Sequence, residues 1–201
     1  GTAPARGITA HVDTLGAMVK EIKPSGRLKL SRLGGYGWSS VEGEGVTVLS
    51  SAGKPVRGSI LLTKASQHVH GVAFSDTKRE DDTLEVRLDA RTRSAEETRA
   101  LGIQVGDFVA LDPRVECHDG FIRSRHLDNK AGVACIAAAL KALSDAKMQP
   151  TRTLSVLISN YEEVGHGAAA GFPADMDELL CVDMAAVGEG QSSDEFSCSL
   201  C

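Results

Sequence analysis

Apolar and polar positions follow three successive patterns along this chain. Residues 7–11 form a short apolar run that predicts a buried strand. From about residue 17 to residue 117 the runs are short and alternate with polar positions, as in residues 84–88, which predicts strands with one dry and one wet face. From Gly120 onward, apolar strands alternate with a helical pattern. The two ends of the chain therefore share a pattern of buried strands, with a helix in the last part, and the middle of the chain predicts short half-buried strands.

The last third of the chain predicts an α/β sheet with parallel pairs. After a strand near residues 121–124 comes a helix whose apolar residues recur at i, i+3, i+4 and i+7, which predicts a core-facing stripe. Two further strands follow at residues 153–159 and 179–183. In such sheets, functional residues collect beyond the carboxyl ends of the strands. The stripe consists of Val133, Ile136, Ala137 and Leu140.

These patterns divide the chain into an α/β domain and an insert. The α/β domain takes residues 1–17 and 119–201, and a β-rich insert takes residues 18–118. Within the insert, Ser94 and Glu97 form a capping box at the start of one helix, and Gly102 predicts its end. The chain starts without Met and ends within a predicted strand at residues 195–200. We therefore expect a fragment cut at both ends.

Composition excludes several classes of partner. The 201 residues carry a net charge of −5 and no run of Lys and Arg above two, so nothing indicates binding to nucleic acid or to an anionic membrane. The longest apolar run, residues 131–140, is too short to span a bilayer. The five cysteines are odd in number and scattered, which favours a reducing compartment and predicts a cytoplasmic protein.

Acidic and imidazole side chains stand at the predicted strand ends, all outside the insert. Each has an ordinary structural explanation: a hydrogen bond between a His and an Asp in a loop, a solvated acidic turn, or, for Asp128, the N-cap of the following helix. Their joint placement favours a shared site. The candidates are His11, Asp13, Asp128, Glu162, Glu163 and Asp183.

This set of side chains suits a hydrolytic metal site. Divalent cations bind carboxylate oxygen and imidazole nitrogen, and two ions about 3.5–4 Å apart can share a carboxylate and a water. Glu162 and Glu163 are adjacent, so their side chains diverge. One could bind metal while the other accepts a proton from the water. His68 and His70, on one face of a predicted strand without a supporting carboxylate, favour a surface or interface role.

Four motifs occur in order along the chain: His11-Val12-Asp13 with Leu15-Gly16, Leu127-Asp128-Asn129-Lys130-Ala131-Gly132, Glu162-Glu163-Val164-Gly165, and Val182-Asp183. In this order and at these spacings they resemble the M42 metallo-aminopeptidases, a family that includes the tetrahedral aminopeptidases and proteins once classed as glucanases. The resemblance covers nearly the whole chain, including the insert. Leu-Asp-Asn-Lys departs mildly from the commoner Leu-Asp-Asp-Arg and keeps its first Asp.

The resemblance implies a role for each candidate residue. His11 and Asp183 bind the first metal ion, and Asp128 bridges both ions. Glu163 binds the second ion, and Glu162 is the general base. Asp13 orients His11. The ions are zinc or cobalt, the substrate is a peptide, and the insert is a dimerisation domain through which members associate, often into a hollow dodecamer.

The resemblance also implies one missing ligand. The family takes a final His for the second ion from a later part of the catalytic domain, and no His of this chain stands in the matching place. We therefore expect the second site to be incomplete here. His166, after Glu-Glu-Val-Gly, resembles a branch of the family associated with bacterial osmoprotectant dipeptide gene clusters.

Three functions remain open from the sequence. The favoured one is a di-metal aminopeptidase acting on short peptides. The second is a non-catalytic assembly subunit or inactive fragment, suggested by the missing His. The third is a glycosidase using Glu162 and Glu163, although adjacent residues hardly suit carboxyl groups held about 5–9.5 Å apart across a sugar.

Overall fold

A computed structural model describes the backbone of residues 2–200 and the burial of the side chains from Ala5 to residue 200. The strands are β1 (Thr2–His11), β2 (Gly16–Ile22), β3 (Leu28–Leu33), β4 (Gly45–Leu49), β5 (Pro55–Leu62), β6 (Leu84–Leu88), β7 (Phe108–Leu111), β8 (Glu116–His118), β9 (Phe121–Arg123), β10 (Arg152–Ser159) and β11 (Met176–Cys181). The α-helices are α1 (Gln67–His70), α2 (Val72–Asp76), α3 (Ala95–Ala100) and α4 (Leu127–Asp145).

The chain folds into two compact units. One contains the residues up to Thr14 together with those from Arg123 onward, and the other is Leu15–Ile122. The sequence placed these boundaries after residues 17 and 118. The second unit begins earlier because Gly16 already pairs with Leu33 of β3 and Ala110 of β7.

The first unit contains a three-stranded parallel sheet in the order β10-β1-β11. Its register aligns His11 of β1 with Ser159 of β10, and Thr9 of β1 with Cys181 of β11. All three strands run in the same direction, so their carboxyl ends meet at one edge. The loops that follow these strands therefore start side by side.

Two predictions for this unit are wrong in detail. In α4, Ile136 is buried whereas Ala137 and Leu140 are exposed, because only the part of the helix around Gly132 and Ile136 is covered within residues 2–200. The strand predicted at residues 195–200 is absent. Short-range hydrogen bonds to side chains take the place of strand pairing there. The Phe196 N–H donates to Asp194 at 2.8 Å, and the Ser199 hydroxyl contacts the Ser193 hydroxyl at 2.6 Å.

The second unit is a closed six-stranded barrel in the order β2-β3-β6-β5-β4-β7, with every pair antiparallel. Alternate residues of β6 point into its core, so Leu84, Val86 and Leu88 are buried and Arg87 is exposed. Glu85 departs from the predicted wet face. It is buried because it accepts hydrogen bonds from Lys23 and Arg27.

The helices of the barrel unit partly follow the sequence. The Ser94 hydroxyl accepts the Glu97 N–H, as the capping box predicts, while the Glu97 carboxylate accepts the N–H of Arg93. The strand predicted around His68 and His70 is wrong, since both lie in α1. Residues two apart on a helix point in different directions, so they do not share a face.

No helix within residues 2–200 has the length and apolar character needed to cross a bilayer.

Candidate metal centre

The imidazole of His11 lies at the centre of the carboxylates predicted to form the site. His11 is the last residue of β1 and is only 2% exposed. Its Nε2 lies 3.2 Å from Asp128 Oδ1, 3.6 Å from Glu162 Oε2 and 3.9 Å from Asp183 Oδ1. The parallel sheet thus brings together residues separated by more than 170 positions.

Asp13 fixes both the imidazole and the acidic turn. The Nδ1 of His11 lies 3.1 Å from the Asp13 carbonyl and 3.3 Å from Oδ1, a position that favours a proton on Nδ1 and a free lone pair on Nε2. The two oxygens of the Asp13 carboxylate accept the N–H groups of Glu162 at 3.2 Å and Glu163 at 3.0 Å. Sequence reasoning predicted only the contact with His11.

The acidic turn follows β10 as a short 3-10 helix, Glu162–Val164. It ends at Gly165, whose φ of 79° is in the left-handed region that glycine adopts without a steric penalty. Glu162 is exposed and Glu163 is half-buried. The two carboxylates therefore have different environments, as expected for adjacent residues whose side chains point in different directions.

Asp128 faces His11 and is not an N-cap. The N-cap position of α4 is His126, and no side chain caps it. Asp128 has non-helical backbone angles and is joined to Asn129 by a cis peptide bond. Its carboxylate contacts His11 and accepts no N–H of the helix among the described residues, so the interpretation of Asp128 as a helix cap is wrong.

Two neighbouring residues attach the start of α4 to the strand ends. The buried Asn129 donates from Nδ2 to the carbonyl of Val182 at 2.7 Å, just before Asp183. Lys130 donates from Nζ to the carbonyl of Val12 at 2.7 Å. Sequence reasoning noted both residues only as a departure from a motif. No local signal could have paired Asn129 with a carbonyl 53 positions away.

Gly132 leaves space for Asn129, and this supplies a test. A Cβ at Gly132 would lie 2.2 Å from Asn129 Oδ1. We expect Gly132→Ala to lower the free energy of unfolding by about 1–3 kcal/mol, because Asn129 must give up a buried hydrogen bond. The measurement is chemical denaturation of the full-length protein.

The matched control for Gly132→Ala is the same change made together with Asn129→Ala. Without the amide, the nearest remaining neighbour of the Cβ is Val182 Cγ1 at 3.2 Å, which needs to shift by only a few tenths of an ångström. The roughly 1 kcal/mol preference of helices for Ala over Gly should then make the change close to neutral. An equal loss of stability in both backgrounds would contradict the clash with Asn129.

Two groups of side chains here could hold a divalent cation. The ligand atoms of His11, Asp128 and Glu163 lie within 4.8 Å of one another, and so do those of His11, Glu162 and Asp183. His11 belongs to both groups. The residues predicted from the sequence therefore lie at one place, with Glu162 as near to His11 as the proposed ligands are.

The electrostatics of this cluster favour a cation. Burial, followed by the charge of Asp128, raises the pKa of Glu163. Burial lowers the pKa of His11, but Asp183, the Asp13 carbonyl, and the Asp13 and Glu162 carboxylates outweigh it, so this pKa is raised. Glu163 Oε1 is buried without a hydrogen-bond partner among the described residues. An unpaired buried oxygen among like charges is what a bound cation would stabilise.

Comparison with known proteins points in one direction. A sequence profile described as M42 glutamyl aminopeptidase matches residues 1–200. The chain is 45% identical to the YhfE protein of Bacillus subtilis over 201 residues, which are the whole chain and 58% of YhfE.

Two solved structures share the fold. An aminopeptidase of the archaeon Desulfurococcus kamchatkensis is 25% identical with a TM-score of 0.78, and the match covers 97% of this chain and 52% of that one. The Pyrococcus horikoshii TET1 peptidase, which assembles into a tetrahedron or a large octahedral shell, is 23% identical with a TM-score of 0.67. That match covers 82% of this chain and 48% of the other. The chain thus spans about half the length of these relatives.

Proposed function

The chain belongs to the M42 glutamyl aminopeptidase family, and on that premise we propose that the full-length protein is a di-metal aminopeptidase acting on short peptides. The observation that carries the proposal is the convergence of one buried imidazole and four carboxylates at a single sheet edge. That edge is where α/β enzymes place their functional residues.

The donor set fits two divalent ions, zinc or cobalt. His11 and Asp183 would hold the first, Asp128 would bridge, and Glu163 would bind the second. The unpaired, buried Oε1 of Glu163 supports this assignment. A His from a later part of the catalytic domain would complete the second site, since within the described residues His11 is the only His in either candidate group.

Bound ions of this kind lower the pKa of a coordinated water and stabilise the oxyanion that develops on the scissile carbonyl. Glu162 would supply the proton transfer. It is exposed, so substrate and solvent can reach its carboxylate. It would take a proton from the attacking water and pass it to the leaving amine.

Asp13 would act as a positioning residue. By accepting the N–H groups of Glu162 and Glu163, its carboxylate holds the base and a ligand on one turn. Its contact with Nδ1 keeps Nε2 of His11 free to bind metal. One side chain thus sets the relative positions of an imidazole and two acids.

We also propose that the barrel is an inserted domain of about residues 18–118 through which the protein associates with copies of itself. The resemblance to M42 peptidases supports this role, and the Pyrococcus horikoshii peptidase assembles into shells. Exposed apolar side chains on the barrel unit, such as Val69 and Val72, offer surface that a second copy could cover. The cytoplasmic location inferred from the cysteines stays a prediction.

Metal removal tests the proposed function. We expect a chelator to reduce hydrolysis of aminoacyl p-nitroanilides and short peptides by the full-length protein to background, and zinc or cobalt to restore it. Activity is measured by p-nitroaniline release, and metal content by mass spectrometry on the same samples.

The other two functions give different results in that experiment. A protein that binds two ions yet cleaves no aminoacyl amide or peptide would be an assembly subunit. Cleavage of a glucan that survives the chelator would favour the glycosidase.

A further inference from the structure

We propose that the barrel carries, independently of the proposed peptidase site, a binding site for a small multivalent oxyanion. The site is a cleft of about 600 Å³ on the outer face of the barrel, within the range of ligand pockets. We call it the arginine cleft. Its walls are Ser25, Gly26, Arg27, Arg87, Leu88, Ala90, Arg91, Thr92 and Arg93.

The arginine cleft concentrates positive charge in a protein that is acidic overall. Four of its nine lining residues are arginines and none is acidic, while the chain carries a net charge of −5. The side chains of Arg87, Arg91 and Arg93 form no ion pair or hydrogen bond with any residue the structure describes. Arg57, by contrast, is paired with Asp112 through two contacts of 2.6 Å.

Glu85, the buried acid that contacts Arg27 of the cleft wall, already has two partners. Glu85 accepts from Lys23 at 2.7 Å and from Arg27 at 2.6 Å. Because Leu28 pairs with Val86 in antiparallel register, Arg27 and Arg87 fall opposite each other one step further along. Because Glu85 is already paired with Lys23 and Arg27, it forms no ion pair with Arg87, whose charge adds to that of Arg27 opposite it.

One buried and one exposed hydrogen bond fix the backbone of the cleft walls. The hydroxyl of Thr98 in α3 donates to the carbonyl of Gly26 at 2.8 Å, and Thr98 is fully buried. The backbone N–H of Arg93 donates to Glu97 at 2.5 Å on the other wall. The cationic side chains therefore extend from fixed backbone, which limits the entropy lost when a ligand binds.

The chemistry of the walls specifies the ligand class. Guanidinium groups match phosphate and carboxylate oxygens bidentately, and three unpaired groups call for a ligand with more than one negative charge. Ser25 and Thr92 add hydroxyl donors, whereas apolar lining is limited to Leu88 and Ala90. A small phosphorylated compound or a polycarboxylate fits these walls, and an apolar ligand does not.

Calorimetric titration of the full-length protein tests the site, with pyrophosphate, inorganic phosphate and citrate as probes at about 0.15 M salt, where long-range charge effects are screened. We expect pyrophosphate or citrate to bind with a dissociation constant below about 1 mM. Arg91→Ala with Arg93→Ala should weaken binding at least about tenfold, since two charge-assisted contacts are lost. Tighter binding of pyrophosphate than citrate identifies a phosphate ligand, and the reverse a carboxylate ligand.

Arg99→Ala is the matched control, because Arg99 is an exposed arginine of α3 outside the cleft walls. It should bind the probes as the wild type does. Arg87→Gln is a second single-site variant on a different wall, and thermal unfolding confirms that each variant is folded. No binding of any probe, equal binding in the double variant, or equal weakening in Arg99→Ala would overturn the proposal.

Discussion

Replacing Glu162 by Gln in the full-length protein is expected to reduce turnover by about 10²- to 10⁴-fold, the range typical of a lost general base, and to leave metal content unchanged. Gln keeps the size of the side chain but cannot take a proton from water. The N–H groups of Glu162 and Glu163 still donate to Asp13, because those bonds come from the backbone. The turn should therefore keep its geometry.

This experiment distinguishes Glu162 as a general base from Glu162 as a metal ligand, because its position is compatible with both roles. Glu162 Oε2 lies 3.6 Å from His11 Nε2 and shares a candidate ligand group with Asp183. If Glu162 were a metal ligand, Glu162→Gln would release metal along with activity. Turnover is followed with an aminoacyl p-nitroanilide, and metal content by mass spectrometry after desalting.

Glu96→Gln is the control for Glu162→Gln. Glu96 is an exposed glutamate in the first turn of α3 and belongs to the barrel unit, so the change removes the same charge without altering any residue of the candidate metal groups. It should keep both turnover and metal. Full turnover in Glu162→Gln would remove Glu162 from the base role.

The grouping of these side chains can be predicted from the sequence because it follows from strand direction. An apolar run that ends in His or Asp marks a strand end, and parallel strands bring such ends to one edge. His11, Glu162 and Asp183 meet for this reason. Asp128 was harder to interpret, because an Asp before a helix is commonly a cap, and neither its non-helical backbone angles nor its contact with His11 can be read from the local sequence.

The errors in the sequence interpretation come from residues whose partners are far away or unexpectedly local. Glu85 alternates like a wet-face residue but is buried because Lys23 and Arg27 pair with it. Residues 195–200 alternate like a strand, yet hydrogen bonds from Phe196 to Asp194 and from Ser199 to Ser193 take the place of strand pairing. Periodicity reports which face a residue takes and contains no information about ion pairs or short-range polar bonds.

Asp128→Ala is expected to remove both ions, because the bridging carboxylate is the only ligand that the proposed sites share. Asp128 Oδ1 lies 3.2 Å from His11 Nε2, and Asp128 shares a candidate ligand group with Glu163. Metal content should fall from two ions to none, and turnover to background. Asp145→Ala, at the other end of α4 where Asp145 pairs with Lys141, is the control and should keep both.

The same variant should relieve the repulsion between Asp128 and Glu163 in the metal-free protein. Asp128 is the second largest cause, after burial, of the raised pKa of Glu163. A carboxyl group whose pKa is raised by folding stabilises the native state below its unfolded pKa of about 4.3, and this contribution is lost as the pH rises through the folded value. Removing Asp128 lowers the folded pKa of Glu163, so the metal-free variant should lose less stability over this pH interval than the chelated wild type.

Chemical denaturation of the two chelated proteins between about pH 4 and pH 7, the interval in which a raised carboxyl pKa acts, measures this difference. An equal loss of stability with pH in both proteins would contradict the repulsion between Asp128 and Glu163. Retention of both ions by folded Asp128→Ala would contradict the bridge itself. In the metal-free protein, a proton on Glu163 relieves this repulsion at low pH. At neutral pH a bound cation would relieve it, since the carboxylate that repels Glu163 is also the one that would join it in holding the metal.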